Sequence, residues 1–178
     1  MSLRIVYFNG VFFERFNIEL YGTTILTEPN YAGNIIVNLA SLPDFLRKPI
    51  LKKRLMEFFS MSDQDKKEVI SNALEAGPTI PFPSFSKLFK TWLQVLATFS
   101  EEQRNELFSK YVFEIINSPE KLITFNLDGI LEIFLSLNEN EKLVVAKSVN
   151  NIIENLVEDR KKKLLLLLPD NIKAQIGV

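Results

Sequence analysis

From about residue 42 onward, apolar residues recur at intervals of three and four. Phe82, Phe85, Phe89, Trp92, Leu96 and Phe99 draw one stripe, the spacing of an α-helix with one buried face. Leu88, Leu93 and Val95 widen it, leaving Ser86, Lys87, Lys90, Thr91, Gln94 and Thr98 as a narrow polar strip. A helix this apolar is expected to be covered on most sides. The next segment puts Leu107, Phe108, Tyr111, Val112 and Ile115 on one face, and Val69, Ile70, Ala73 and Leu74 form an earlier stripe of the same kind.

The stripes share a period of about 38 residues, within the range of helical-repeat units. When 42–79, 80–117 and 118–155 are set beneath one another, Pro43, Pro81 and Pro119 fall in one column. So do Leu55, Leu93 and Leu131; then Phe58, Leu96 and Phe134; then Ser62, Ser100 and Asn138; then Asp63, Glu101 and Glu139; then Lys66, Arg104 and Lys142. Proline suits the first turn of a helix, where its missing N–H is not needed. Ser100-Glu-Glu-Gln103 is a capping box, Asn138 to Glu141 and Ser62 to Asp65 are looser versions, and the acids after each cap favour the positive end of the helix dipole. Each unit therefore reads as helix A, a tight turn at the cap, and helix B. The A helices are expected near 43–60, 83–98 and 119–136, and the B helices near 63–76, 101–117 and 139–157. Gly129 weakens the third A helix and points to a fresh start near Leu127.

The ends depart from the repeat, as capping segments do. Leu168-Pro169-Asp170 echoes Leu42-Pro43-Asp44, which suggests the start of a truncated fourth unit. The basic run Arg160–Lys163 reads as a solvated helix end favoured by the dipole, with an anion or acidic-partner patch as the other reading. At the N-terminus, Leu3–Phe8 and Val11–Phe16 flank Asn9-Gly10, a strong hairpin signal. A helix over 11–20, aligning Phe12, Phe16 and Leu20, competes with it. Tyr31–Ala40 is expected to form a short helix leading into the repeats. The aromatic N-terminal segment, 1–40, is expected to seal one end of the array or to form a dimer contact.

Composition narrows the chemistry. The chain has 178 residues, 47% of them hydrophobic, which fits about one domain with a sizeable core. Cysteine and histidine are both absent, so disulfides, thiolate nucleophiles, imidazole bases and zinc sites of the usual ligands are ruled out. No glycine-rich phosphate loop is present, and the paired acids sit where capping explains them. No catalytic residue, metal site or cofactor is expected. The 21 basic and 22 acidic residues nearly cancel, which argues against a general nucleic-acid or anionic-membrane binder unless lysines gather on one face. The longest apolar run, Leu164–Leu168, is far shorter than a membrane span, and no signal-peptide core is apparent. A soluble, intracellular, cytoplasmic chain is the expectation.

The fold class expected is mainly α: a short helical repeat array over 41–178, with helical hairpins at 42–79, 80–117 and 118–155, a C-terminal cap at 156–178 and an N-terminal β-hairpin segment at 1–40. It resembles the HEAT-like helical repeats in general plan. No family's residue motif is matched and no site is carried over. The function expected is a non-enzymatic protein-interaction or scaffold module, with partner or self-association. A nucleic-acid-binding helical repeat is the alternative, followed by an unusual enzyme or a lipid-binding array. Four residues stand out as partner contacts. Phe113 occupies the column of Glu75 and Asn151, about 150° from its helix's apolar face; the N-terminal hairpin or a partner is expected to cover it. Trp92 borders the core stripe, with contact duty second. Phe12 and Phe13 lie in the aromatic hairpin. Leu143 and Val144 replace Asn105 and Glu106 and are expected to meet the C-terminal tail.

Overall fold

The computed structural model describes residues 31–176, and these are mainly helical, with no strand among them. The expected hairpin over 3–16, its helical rival over 11–20, and Phe12 and Phe13 lie outside the described residues.

Helix α1 (Tyr31–Ser41) leads into α2 (Asp44–Phe59) and α3 (Asp63–Ala76). A 3-10 turn, Gly77–Thr79, precedes α4 (Phe82–Leu96) and α5 (Glu101–Asn117). The short α6 (Glu120–Ile123) and α7 (Leu127–Leu135) are followed by α8 (Glu139–Glu154), α9 (Glu158–Leu167) and α10 (Asp170–Ile176).

Ser62, Ser100 and Asn138 are the N-caps of α3, α5 and α8. Their side-chain oxygens accept from the backbone N–H of Asp65 (3.2 Å), Gln103 (3.2 Å) and Glu141 (2.9 Å). At Ser100 and Asn138 the box closes, because Gln103 Oε1 and Glu141 Oε2 each accept from the cap N–H at 3.2 Å. The Asp65 carboxylate is one methylene shorter and accepts from the Ser62 hydroxyl instead (2.7 Å). Ser100→Ala is expected to destabilise the protein by about 1 kcal/mol, since the Gln103 N–H loses its acceptor. A denaturant titration with an unmoved midpoint would reject the cap.

Pro43 and Pro119, expected as first helical residues, sit one residue before their helices, and α4 begins directly after Pro81, one residue before the expected start at 83. Pro43, Pro81 and Pro119 precede the first helical residues of α2, α4 and α6. Pro43 and Pro81 hold extended ψ values of 151° and 130°, which the N-cap position requires and the fixed proline φ permits. The third A segment splits into α6 and α7. Asn126 Oδ1 accepts from Gly129 N at 3.0 Å and caps a helix that begins at Leu127. Gly129 is buried, and a Cβ there would stand 2.2 Å from the Phe82 ring, so the close approach of that ring requires glycine.

The third B helix ends at Glu154, short of its expected end at 157, and a new helix begins at Glu158. The run Arg160–Lys163 therefore takes up the third to sixth positions of α9, behind Glu158 and Asp159, and does not lie at a helix C-terminus. Its members are exposed or half-buried. The dipole does not favour them there; Glu158 and Asp159 occupy the positions it favours. Helix α10 starts at Asp170 after Leu168-Pro169, as α2 starts at Asp44 after Leu42-Pro43.

Helices α2, α4 and α7 pack side by side in one row, and α3, α5 and α8 in a second. Helix α1 packs against α3 and α4 and touches α2. One core runs through both rows and includes Leu55, Phe58, Ile70, Leu96, Leu107 and Val145. Along the second row the first acid after each of the first two caps reaches a lysine on the next helix: Asp63 to Lys110 at 2.7 Å and Glu101 to Lys147 at 2.8 Å. The hydrogen bonds to those lysines, and then their charges, hold both carboxyls below the usual range.

Lys121, on α6, ties the irregular third segment to the second row. Its ammonium lies 2.9 Å from Glu114 and 3.2 Å from Glu75, and it donates to the Ser71 hydroxyl. Burial pushes its pKa down, but the hydrogen bonds and charges of Glu114 and Glu75 together outweigh that and hold it above the ordinary lysine value. A raised folded-state pKa means the cluster's stabilisation is complete below the ordinary value of 10.5 and fades as pH climbs through the higher folded value. Lys121→Ala is expected to cost about 2 kcal/mol at neutral pH, because the buried Glu114 loses its cation. Denaturant midpoints at neutral and strongly alkaline pH check both points. The variant's deficit should shrink as the wild type's own ammonium titrates.

Candidate interaction surfaces

Trp92 is half-buried inside an aromatic cluster. It stacks on Phe89 (centroids 5.4 Å apart) and meets Phe108 (5.7 Å) and Tyr111 (5.5 Å) edge-on. Burial pushes the Tyr111 phenol above its ordinary range. Beside Trp92 is an apolar cleft of about 180 Å³, bordered by Phe134, Val145 and Val149 and by Ile172 of α10.

Phe113 is 39% exposed, and the Arg160 guanidinium stands 4.8 Å from its ring centre. An arginine of α9 thus covers part of the ring for which the N-terminal segment or a partner was the expected cover. Leu143, expected against the C-terminal tail, is 70% exposed, while Val144 is half-buried. Helix α10 lies over Val145 and Val149. Leu143 points about 200° around the helix from Val145, toward solvent. Phe113 and Trp92 do not share a site with each other in either cleft.

The larger cleft, about 360 Å³, lies where the 3-10 turn meets the α6–α7 junction. Its walls are Phe82, Phe85 and Phe125, and its floor and rim include Gly77, Pro78 and Pro81. The Phe85 and Phe125 rings lie 5.7 Å apart, and Phe82 is 6.2 Å from Phe85. A Cβ on Gly77 would come within 2.7 Å of the Phe125 ring, so glycine lets that ring settle against the turn. Phe82 is 37% exposed. In the sequence, Phe82 and Phe85 read as core stripe and Phe125 carried no pattern. The available signal was proline density: Pro78, Pro81 and Pro83 around one aromatic.

A second surface was also unread in the sequence. Of the chain's 21 basic and 22 acidic residues, five and two fall within α2. Arg47 is buried, but Lys48, Lys52, Lys53 and Arg54 are exposed, together with Phe45, Leu46, Ile50 and Met56.

Among the described residues, no group of three or more carboxylates is placed to hold a metal ion, and no helix is long and apolar enough to cross a membrane. No protein-family model, curated protein or solved structure matches the chain.

Proposed function

We propose that residues 42–155 are three stacked copies of one helical hairpin, and that the chain works as a non-enzymatic protein-interaction or scaffold module. The side-chain caps Ser62, Ser100 and Asn138, evenly spaced along the chain, support the repeat. So do the two rows of helices and the paired bridges Asp63–Lys110 and Glu101–Lys147 along one of them. Nearest-neighbour stacking of this kind is the architecture of helical-repeat binders.

The observation that carries the functional reading is the Phe82–Phe85–Phe125 cleft. It is concave, aromatic and open to solvent, and so suited to an apolar anchor side chain of a partner protein. The test is affinity capture from the native host with wild type and Phe82→Asp in parallel, read by quantitative mass spectrometry. Phe82 is 37% exposed and its ring approaches the buried Gly129, so a circular-dichroism melt of the variant first confirms that it folds. One or more proteins retained by wild type and reduced at least about tenfold on the variant are expected, the scale of a single anchor residue. Identical retention on both would remove the cleft as the contact site.

A further inference from the structure

We propose that the outward face of α2 seats this protein on an anionic membrane surface. At about 100° per residue, the buried side of α2 is the arc holding Arg47, Leu51, Leu55 and Phe58. The opposite arc holds Phe45, Pro49, Met56 and Lys53, with Lys52 beside Phe45 at its edge. Phe45 is 75% exposed and Met56 50%. The result is an apolar ridge with one lysine on it and another at its edge.

Among the described residues, the lysines on this ridge, and Lys48 beside them, have no carboxylate partner, whereas the helix's two acids are engaged. Asp44 accepts from the buried Arg47, and Glu57 binds Arg54 at 2.8 Å. Helix α1, which touches α2, contains no charged residue. The near-neutral charge of the whole chain thus conceals a local basic surplus.

The surface chemistry distinguishes the occupant. Neither of the two clefts described is lined by α2, and what this face offers is exposed apolar side chains among lysines. A bilayer interface accepts such a ridge. Phe45 and Met56 enter the headgroup boundary while the lysine ammoniums stay level with the phosphates. No helix of the described residues spans the bilayer, so the attachment is peripheral, reversible and salt-sensitive. It is independent of the aromatic cleft and would place a scaffold at a membrane.

Vesicle flotation of the full chain tests this, using vesicles of phosphatidylcholine with roughly 30% phosphatidylserine against pure phosphatidylcholine. Wild type is expected to float with the anionic vesicles at low salt, to be released by high salt, and not to float with the neutral ones. Each lysine near the surface contributes about fivefold in partitioning, so Lys52→Glu with Lys53→Glu should lower it by about 25-fold or more. Lys52→Gln with Lys53→Gln should give a smaller loss, and a circular-dichroism melt confirms that both variants fold. Phe45→Ala with Met56→Ala should weaken binding without changing its salt dependence. Wild type failing to float, floating equally on neutral vesicles, or floating undiminished in the Lys52/Lys53 variants would each overturn the proposal. Binding of a labelled oligonucleotide that depends on these lysines, without flotation, would overturn it in favour of nucleic acid.

Discussion

Leu96→Ala is expected to lower the denaturant midpoint by the equivalent of about 3–4 kcal/mol, with little change in slope. Leu96 has no exposed surface and lies where the two helical rows meet, in the same core cluster as Phe58, Leu93 and Leu107. Removing its branched end forfeits the transfer free energy and leaves a cavity that the packed rows can fill only in part. A loss of this size is a large share of the roughly 5–15 kcal/mol that holds a domain together. The control is Leu135→Ala on α7. Leu135 is 43% exposed, so its truncation is expected to cost under about 1 kcal/mol. Equal midpoints for the two variants would show that Leu96 is not in the core.

Arg47→Met is expected to cost about 3 kcal/mol, although it removes a charge from the most basic helix. Arg47 is 2% exposed. Its guanidinium donates to the backbone carbonyls of Leu39 (3.1 Å) and Leu42, to the Thr91 hydroxyl (3.3 Å) and to Asp44. One side chain thereby satisfies the carbonyls at the end of α1 and fastens α1 and α2 to α4. Methionine keeps most of the volume but leaves those buried acceptors without a donor. Lys48→Met, one residue on but exposed, should stay within about 0.5 kcal/mol. Thermal or urea unfolding of the pair is the measurement. Similar curves for Arg47→Met and wild type would mean that water replaces the guanidinium.

Much of the helical plan was legible because its signals are local. Expected bounds of 63–76 and 101–117 coincide with α3 and α5, and α2 differs from its expected range by one residue at each end. A cap acts within one turn, and a stripe of apolar residues at helical spacing needs only its own helix. The restart near Leu127 was legible for the same reason, since Gly129 disfavours a continuous helix. The break at Asn155–Val157 was not. The apolar spacing continues across it, and no glycine or proline marks it.

The candidate surfaces were less legible than the helices. Lys66, Arg104 and Lys142 form one sequence column, yet their fates differ. Lys66 and Arg104 are buried, and Lys142 is half-buried and bound to its neighbour Glu139 at 2.6 Å. Arg104 donates to Ser148 at 3.0 Å and to the Phe99 carbonyl, and burial holds its guanidinium below its ordinary pKa. Ser148 belongs to a helix that only packing brings near. The same holds for the larger cleft, whose three phenylalanines come from α4 and from the junction after α6.

Local chemistry in the sequence therefore determined where helices begin, which residues cap them and which face of each is apolar, because these depend on neighbours within four positions. It also determined that no histidine or cysteine chemistry is open to the chain. Only the tertiary structure decided which cations are buried and which are free. It also decided which aromatics line a cleft and which fill the core, and that the lysines of α2 share an outward face with Phe45 and Met56. Those outcomes depend on which helices pack side by side, and burial is a property of the whole assembly of helices, not of any segment within it.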